Sequence, residues 1–383
     1  MRSEAFVSSK PTVLILDSLA GVGISVQVIQ CLAAGGAFDI AVASPHRGSI
    51  LRHSRWVKRF HFLRSGLQPE EALDELKGVL KGGWADVLLP VNVDQIDLLI
   101  GHGAAGLAAL AKLPLQPDPL AFRTACSKTL LSSFMEDNGI PHPRTVRFTA
   151  GDAAVRARLE SLRLPVITKP TWGGGGSGMR VFESREGLLE HLEASSTPEN
   201  PVVVQEFIRG FDLGSAVFCR DGEVLHMTMQ RNVSADQGTF RPSKGLRFFD
   251  DPEVRGVVGR LMGALKWSGI AQVDLRQEEG SGALHVLEIN PRYWGSVLGS
   301  ARMGVNFPDI ACRMAAGLPP CGGAYLPGKY ITAMGYLLEL RAKLQGRPNQ
   351  ETFEYAESAF PEMIADPMPR LVEVIQKLTR RTP

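Results

Sequence analysis

The chain has 383 residues, 44% of them hydrophobic and 21% charged, a length that predicts two or three domains with ample core. Lys plus Arg number 42 against 40 for Asp plus Glu, and a net charge of +2 excludes the large field that draws nucleic acid or an acidic membrane, which leaves a small-molecule substrate. The five cysteines are scattered without a Cys-x-x-Cys pair, which excludes a disulfide framework or zinc site and accords with reducing cytosol, and no apolar run reaches the roughly 18 residues of a membrane span.

Residues 1–10 are short, polar and charged, with no targeting pattern expected. Val13-Leu14-Ile15-Leu16-Asp17 reads as a buried strand, followed by a Gly-containing turn and a helix over about 24–34. A second strand is expected at Ile40 to Ala43. After a long basic segment, a helix over about 69–80 leads into Asp86-Val87-Leu88-Leu89-Pro90, and this alternation predicts a parallel α/β layer over residues 1–115. The turn Gly21-Val22-Gly23 invites a dinucleotide reading, but the second strand ends Val42-Ala43-Ser44 without an acid for a ribose. Three prolines in Leu113 to Pro119 mark a boundary.

Beyond it, a helix near 127–138 ends at Gly139. Strand runs at Val166-Ile167, Val202-Val203-Val204, Ser215 to Cys219 and Val224 to Met229 predict an antiparallel α+β region over residues 116–320, with Asp221-Gly222 as a hairpin turn. Arg231 to Asp251 reads as one long polar loop, whose Arg231, Lys244 and Arg247 are candidates to clamp a carboxylate or phosphate and equally suit a solvated surface. A helix follows over about 252–267, and residues 321–383 form an extension with weak periodicity. His226 and His285 sit in strand patterns without partners at ligand spacing and read as structural.

Two constellations carry chemistry. In Val166-Ile167-Thr168-Lys169-Pro170-Thr171-Trp172-Gly173-Gly174-Gly175-Gly176-Ser177-Gly178, consecutive glycines suit close approach of backbone amides to an anion, with Lys169 supplying charge from the preceding strand. Read alone, they also suit a flexible surface turn. The second runs from Gly269 to Arg292 and reads as a hairpin centred near Ser281. Ala271, Val273, Leu275, Leu287 and Ile289 then share an apolar face, while Gln272, Asp274, Glu288 and Asn290 share the other. Asp274 and Glu288 are expected opposite each other at roughly 5 Å between Cβ atoms, where like charges need a cation. Two carboxylates and an amide oxygen are a hard donor set that suits Mg²⁺ better than zinc, and a solvated edge hairpin is the plainer alternative.

In this order, the glycine loop and the ending Glu288-Ile289-Asn290-Pro291-Arg292 resemble the ATP-grasp superfamily over residues 128–292. The resemblance implies a two-lobed ATP-grasp domain over 116–320 preceded by a pre-ATP-grasp α/β domain over 1–115. It implies ATP and Mg²⁺, with Mn²⁺ as a substitute ion. Lys128 and Lys169 would hold ATP phosphates beneath Gly173, Gly174, Gly175, Gly176, Ser177 and Gly178. Gln205, Glu206 and Ile208 would surround adenine, and Asp212 would take the ribose hydroxyls. Gln205 and Glu206 depart from the Glu and Lys of many relatives, which favours adenine recognition by backbone. Asp274, Glu288 and Asn290 match metal positions, and Arg292 matches an arginine near the transferred phosphoryl group. The implied activity is a cytoplasmic ADP-forming ligase joining a small carboxylic acid to an amine through an acyl phosphate. A bicarbonate- or carbamate-activating enzyme and a nucleotide-binding protein without chemistry are the alternatives. A homodimer accords with base rates, with no segment marking it.

Overall fold

The computed structural model describes residues 10–17, 22–64, 66–102, 105–149, 153–170, 178–195, 202–233, 244–346 and 351–379. They form two compact units, one of residues 1–116, 292–326 and 359–383, the other of 117–291 and 327–358.

The first unit contains four parallel strands, β1 (Thr12–Leu16), β2 (Asp39–Ser44), β3 (Val57–Phe62) and β4 (Val87–Pro90), in the order β3-β2-β1-β4. β1 and β4 are buried along nearly their whole length, which is why both read as continuous apolar runs. Leu73, Leu76, Val79 and Leu80 of helix Pro69–Lys81 pack with Leu14, Leu16, Leu88 and Leu99 in one cluster. Strand β3 lies within the basic segment, where the sequence predicts no strand. It is an edge strand with exposed Lys58 and Arg59, so it lacks the apolar pattern of its neighbours. At the end of β1, buried Asp17 accepts hydroxyl bonds from Ser25 (2.9 Å), Ser44 (2.8 Å) and Ser49 (3.2 Å). The described C-terminal segment rejoins this unit. Helix Met368–Thr379 packs on the 3₁₀ turn Ile50–His53, Gln376 Nε2 donates to the Gly48 carbonyl at 2.8 Å, and Asp366 accepts from Ser54 Oγ at 2.5 Å.

The second unit holds two sheets. β5 (Thr145–Phe148), β6 (Val166–Pro170), β7 (Arg180–Phe182) and β8 (Val202–Glu206) pair antiparallel in the order β5-β8-β6-β7. Val166, Val202 and Val204 pack there with Leu159, Leu188 and Leu192. The other sheet, also antiparallel, has the order β13-β12-β9-β10-β11-β14. It comprises β9 (Gly210–Arg220), β10 (Glu223–Asn232), β11 (Gly245–Phe249), β12 (Gly269–Glu278), β13 (Leu284–Asn290) and β14 (Lys329–Ile331). Asp221 and Gly222 both take positive φ (49° and 88°) in the tight β9–β10 turn, as their sequence predicts. Helix Pro252–Leu265 lies against β9 and β10, with Asp251 accepting from the Glu253 amide at 2.8 Å and Pro252 in the first turn.

Two expectations are corrected. Arg231 to Asp251 is not a single loop, because β10 runs through Asn232 and β11 occupies Gly245–Phe249; residues 234–243 lie outside the described set. The hairpin pairs Gln272 with Asn290, Val273 with Ile289 and Asp274 with Glu288 as expected, but the register then shifts so that Leu275 faces Val286. This bulge displaces Leu287 from the apolar row, and Val286, fully buried, takes its place.

Candidate active site

The β12–β13 hairpin presents two carboxylates on one face. Asn290 Nδ2 donates to Asp274 Oδ2 at 3.0 Å and to Glu288 Oε1 at 3.4 Å, so the amide sits between the acids. Lys128 occupies the first turn of helix Lys128–Asp137, whose cap Ser127 Oγ accepts from the Leu130 amide. From there its Nζ lies 3.9 Å from Glu288 Oε2. Lys169, near the end of β6, is 7% exposed, and its Nζ donates to Gln205 Oε1 at 2.7 Å. Gln205 Nε2 in turn donates to Thr145 Oγ1 at 2.9 Å. Burial pushes the Lys169 ammonium down to about 8 against the opposing pull of Glu288, with Lys128 adding to the depression and Asp274 and Asp212 resisting it. The structure thus brings Lys128, Lys169, Asp274, Glu288 and Asn290 into one electrostatic neighbourhood.

The segment joining β8 to β9 is anchored on β12. Arg276 donates through Nε to the Ile208 carbonyl and through Nη1 to Asp212 Oδ1, each at 2.5 Å, and its guanidinium stacks on Phe207 5.1 Å from the ring centroid. The Glu279 amide donates to the Arg209 carbonyl at 2.9 Å. Gly210 has φ +151°, and a Cβ there would lie 1.9 Å from the Gln277 carbonyl oxygen, so glycine is required. Arg276 has no role assigned on sequence grounds. Its signal is strand alternation, which puts it on the Asp274 face two residues further along β12.

Other sequence candidates stand elsewhere. The Glu206 side chain lies on the Val204 side of β8 and accepts from Arg163, at 2.9 Å from the backbone amide and 3.3 Å from Nη2. Gln230 pairs with Gly214, which pairs with Asp274; a Cβ at Gly214 would meet Gln230 and Gln272 at 3.2–3.3 Å, so these amides share the acidic face. Arg231 is one position off that row and therefore points to the opposite face, beside Arg247. Arg247 forms a two-point ion pair with Glu351 at 2.8 Å and holds that carboxyl below its usual range, with Arg231 contributing. The Lys244 carbonyl accepts from the Thr332 amide at 2.8 Å, which ties the residue to the turn before helix Ala333–Leu344. Arg292 belongs to the other compact unit, where its Nη1 donates to the Tyr293 carbonyl at 2.8 Å. Gly178 is described, exposed and at φ +75°, whereas Gly173, Gly174, Gly175, Gly176 and Ser177 lie outside the described residues.

Among the described residues no group of three or more His, Cys, Asp or Glu side chains is arranged to hold a metal ion. The donor set here is two carboxylates and an amide. Its chemistry fits a hard divalent cation, since Asp274 and Glu288 share one face and Asn290 already interacts with both.

A family model described as an ATP-grasp domain matches residues 125–296. Carbamoyl phosphate synthase large chains are similar at 25% identity over 248 residues in Methanothermobacter thermautotrophicus and 26% over 293 residues in Thermomicrobium roseum. The matches cover 61% and 73% of this chain but 23% and 27% of those proteins, so the chain spans about a quarter of their length. Among solved structures, N5-carboxyaminoimidazole synthetase from Staphylococcus aureus complexed with ADP shares the fold with a TM-score of 0.65 and 16% identity, covering 88% of this chain and 86% of that one. The L-amino acid ligase from Bacillus licheniformis shares it with a TM-score of 0.60 and 17% identity, covering 80% and 74%. The family model, the relatives and the shared fold point together to the ATP-grasp superfamily, with residues 125–296 matching its ATP-grasp domain.

Proposed function

We propose that the chain is an ADP-forming ligase that activates a small carboxylic acid as an acyl phosphate and couples it to an amine. The observation that supports this most is the gathering of Lys128 and Lys169 around the Asp274, Glu288 and Asn290 set within the ATP-grasp domain.

In this reading Lys128 and Lys169 hold the ATP phosphates, and Gly173 to Gly178 are assigned to the same phosphates on the family resemblance alone. Lys169 meets the phosphates from a poorly hydrated site, where a charge-assisted bond is strong. Asp274, Glu288 and Asn290 would hold Mg²⁺, or Mn²⁺ in its place. When bound, the ion neutralises phosphate charge as the phosphoryl group moves. Ile208 and its neighbours present backbone to adenine, Gln205 positions Lys169, and Asp212, steadied by Arg276, receives the ribose hydroxyls. Arg292 is assigned to the phosphoryl group or acceptor on the resemblance alone. The acid oxygen attacks the γ-phosphorus in line and ADP leaves; the amine then attacks the acyl carbon and phosphate leaves.

An ADP-release screen across pairs of carboxylic acids and amines tests the reading. With a productive pair in hand, heavy oxygen placed in the acid should appear in the released phosphate. Release of AMP and pyrophosphate, or of unlabelled phosphate, would replace this route by adenylation or uncoupled hydrolysis. A second reading, activation of bicarbonate or carbamate, draws support from the carbamoyl phosphate synthase relatives. ADP release that depends on bicarbonate and on no organic acid would select it.

A further inference from the structure

Helix Met368–Thr379 is amphipathic with its apolar side turned outward. Pro369 is buried, Gln376 bonds to the Gly48 carbonyl, and the helix packs by this side on the turn Ile50–His53. The opposite side exposes Met368 (45%), Leu371 (51%), Val374 (42%), Ile375 (49%) and Leu378 (65%). The helix thus spends its best apolar side chains on water, which a stable monomer has no reason to retain.

We propose that this face is where a second copy of the chain docks, helix against helix, about a two-fold axis. Two observations select that occupant. Met368, Leu371, Ile375 and Leu378 alternate at spacings of three and four, the seam that knobs-into-holes packing of a partner helix fills. The amount of surface is of the right order: five such side chains exposing on the order of 100 Å² each give roughly 500 Å² per copy, which a polar rim brings towards the ~800 Å² per partner of a specific interface. Within the helix Glu373 pairs with both Arg370 and Lys377, the latter at 2.5 Å. A two-fold axis matches the stripe to itself, so one surface supplies both halves of the interface.

Light scattering and sedimentation of the full chain over 1–50 μM test the proposal, the range being about that of specific homodimers of this size. The expected result is a dimer, with Leu371→Asp and Leu378→Asp each weakening association by at least about 100-fold, as a charge placed in a seam does. Both residues are half or more exposed, so the variants should keep the wild-type far-ultraviolet dichroism. A disulfide forming between copies of Ile375→Cys under mild oxidation would support the two-fold pairing. A wild-type chain that stays monomeric at 50 μM overturns the proposal, as does a dimer that both variants leave intact. A monomer that co-sediments with phosphatidylglycerol vesicles, and loses this in Leu378→Asp, overturns it by assigning the face to lipid.

Discussion

Replacing Lys169 by methionine sets stability and function in opposition. The lysine is 7% exposed, and burial lowers it from 10.5 to about 8. At about 1.4 kcal/mol per tenfold, that drop corresponds to roughly 3 kcal/mol of cost for keeping the charge folded. A methionine side chain at this position would fill similar volume without that cost. It would also strand buried Gln205 Oε1, the acceptor of the 2.7 Å bond, at a penalty of about 1–3 kcal/mol. The net expectation for Lys169→Met is a change between zero and about 2 kcal/mol in the stabilising direction, read by urea unfolding at pH 7.5. ADP binding, read by calorimetry, should weaken about 10- to 150-fold, the worth of one charge-assisted contact. The pH dependence has a definite sign. The folded value lies below the unfolded one, so between about pH 8 and 10.5 the unfolded chain binds more protons and wild-type stability rises with pH. The variant should lack that rise. A loss of more than about 2 kcal/mol in Lys169→Met, or unchanged ADP affinity, would refute the reasoning.

The other perturbations probe neighbouring parts of the site. Glu288→Gln should keep the fold and lose nearly all turnover, measured as ADP formation across a magnesium titration, because one of two carboxylates is gone. Arg276→Ala should raise the KM for ATP about 10-fold or more with little change in kcat, and Arg276→Lys should recover part of it, since a lysine reaches Asp212 or the Ile208 carbonyl but not both. Equal losses in kcat for both variants would place Arg276 in the chemistry instead. Gly210→Ala should destabilise by ~2–4 kcal/mol in urea, because a Cβ 1.9 Å from the Gln277 oxygen forces the β8–β9 connection off β12. Nucleotide binding near pH 8.5 should take up protons as phosphates return the Lys169 charge, which calorimetry in buffers of different ionisation enthalpy measures directly.

Local periodicity made the β12–β13 pairing legible, because Gln272, Asp274, Glu288 and Asn290 alternate with buried apolar residues. The same logic failed at Leu287. A bulge inserts one residue without changing composition, so the sequence looks like an unbroken strand on both sides. Strand β3 was hidden for a different reason: an edge strand needs only one paired neighbour, and Val57-Lys58-Arg59-Phe60-His61-Phe62 offers no apolar row to betray it. Strand β11 was lost inside a polar run whose ends belong to other elements. Helix Met368–Thr379 lies in the extension whose periodicity reads as weak, yet its apolar residues recur at spacings of three and four.

The candidate site divides along the same line. Lys128, Lys169 and the acidic pair were legible because each sits beside a local signal: a capping serine, a glycine run, an alternating hairpin. What surrounds them was not, because their partners are distant in sequence. Gln205 meets Lys169 across 36 residues, Arg276 meets Ile208 across 68, and Arg163 reaches Glu206 across 43. Such contacts follow from sheet order, which places β8 beside β6 and β12 beside β9. Strand parity then sorts the charges. It keeps Arg276 on the face of Asp274, turns Arg231 to the opposite one, and separates Gln205 from Glu206 although they adjoin in the chain. Adjacent residues of one strand therefore cannot share a side-chain role at one site, and any assignment made from the run Val204-Gln205-Glu206 has to give the nucleotide either Gln205 or Glu206. In the proposed reading the buried bond to Lys169 selects Gln205.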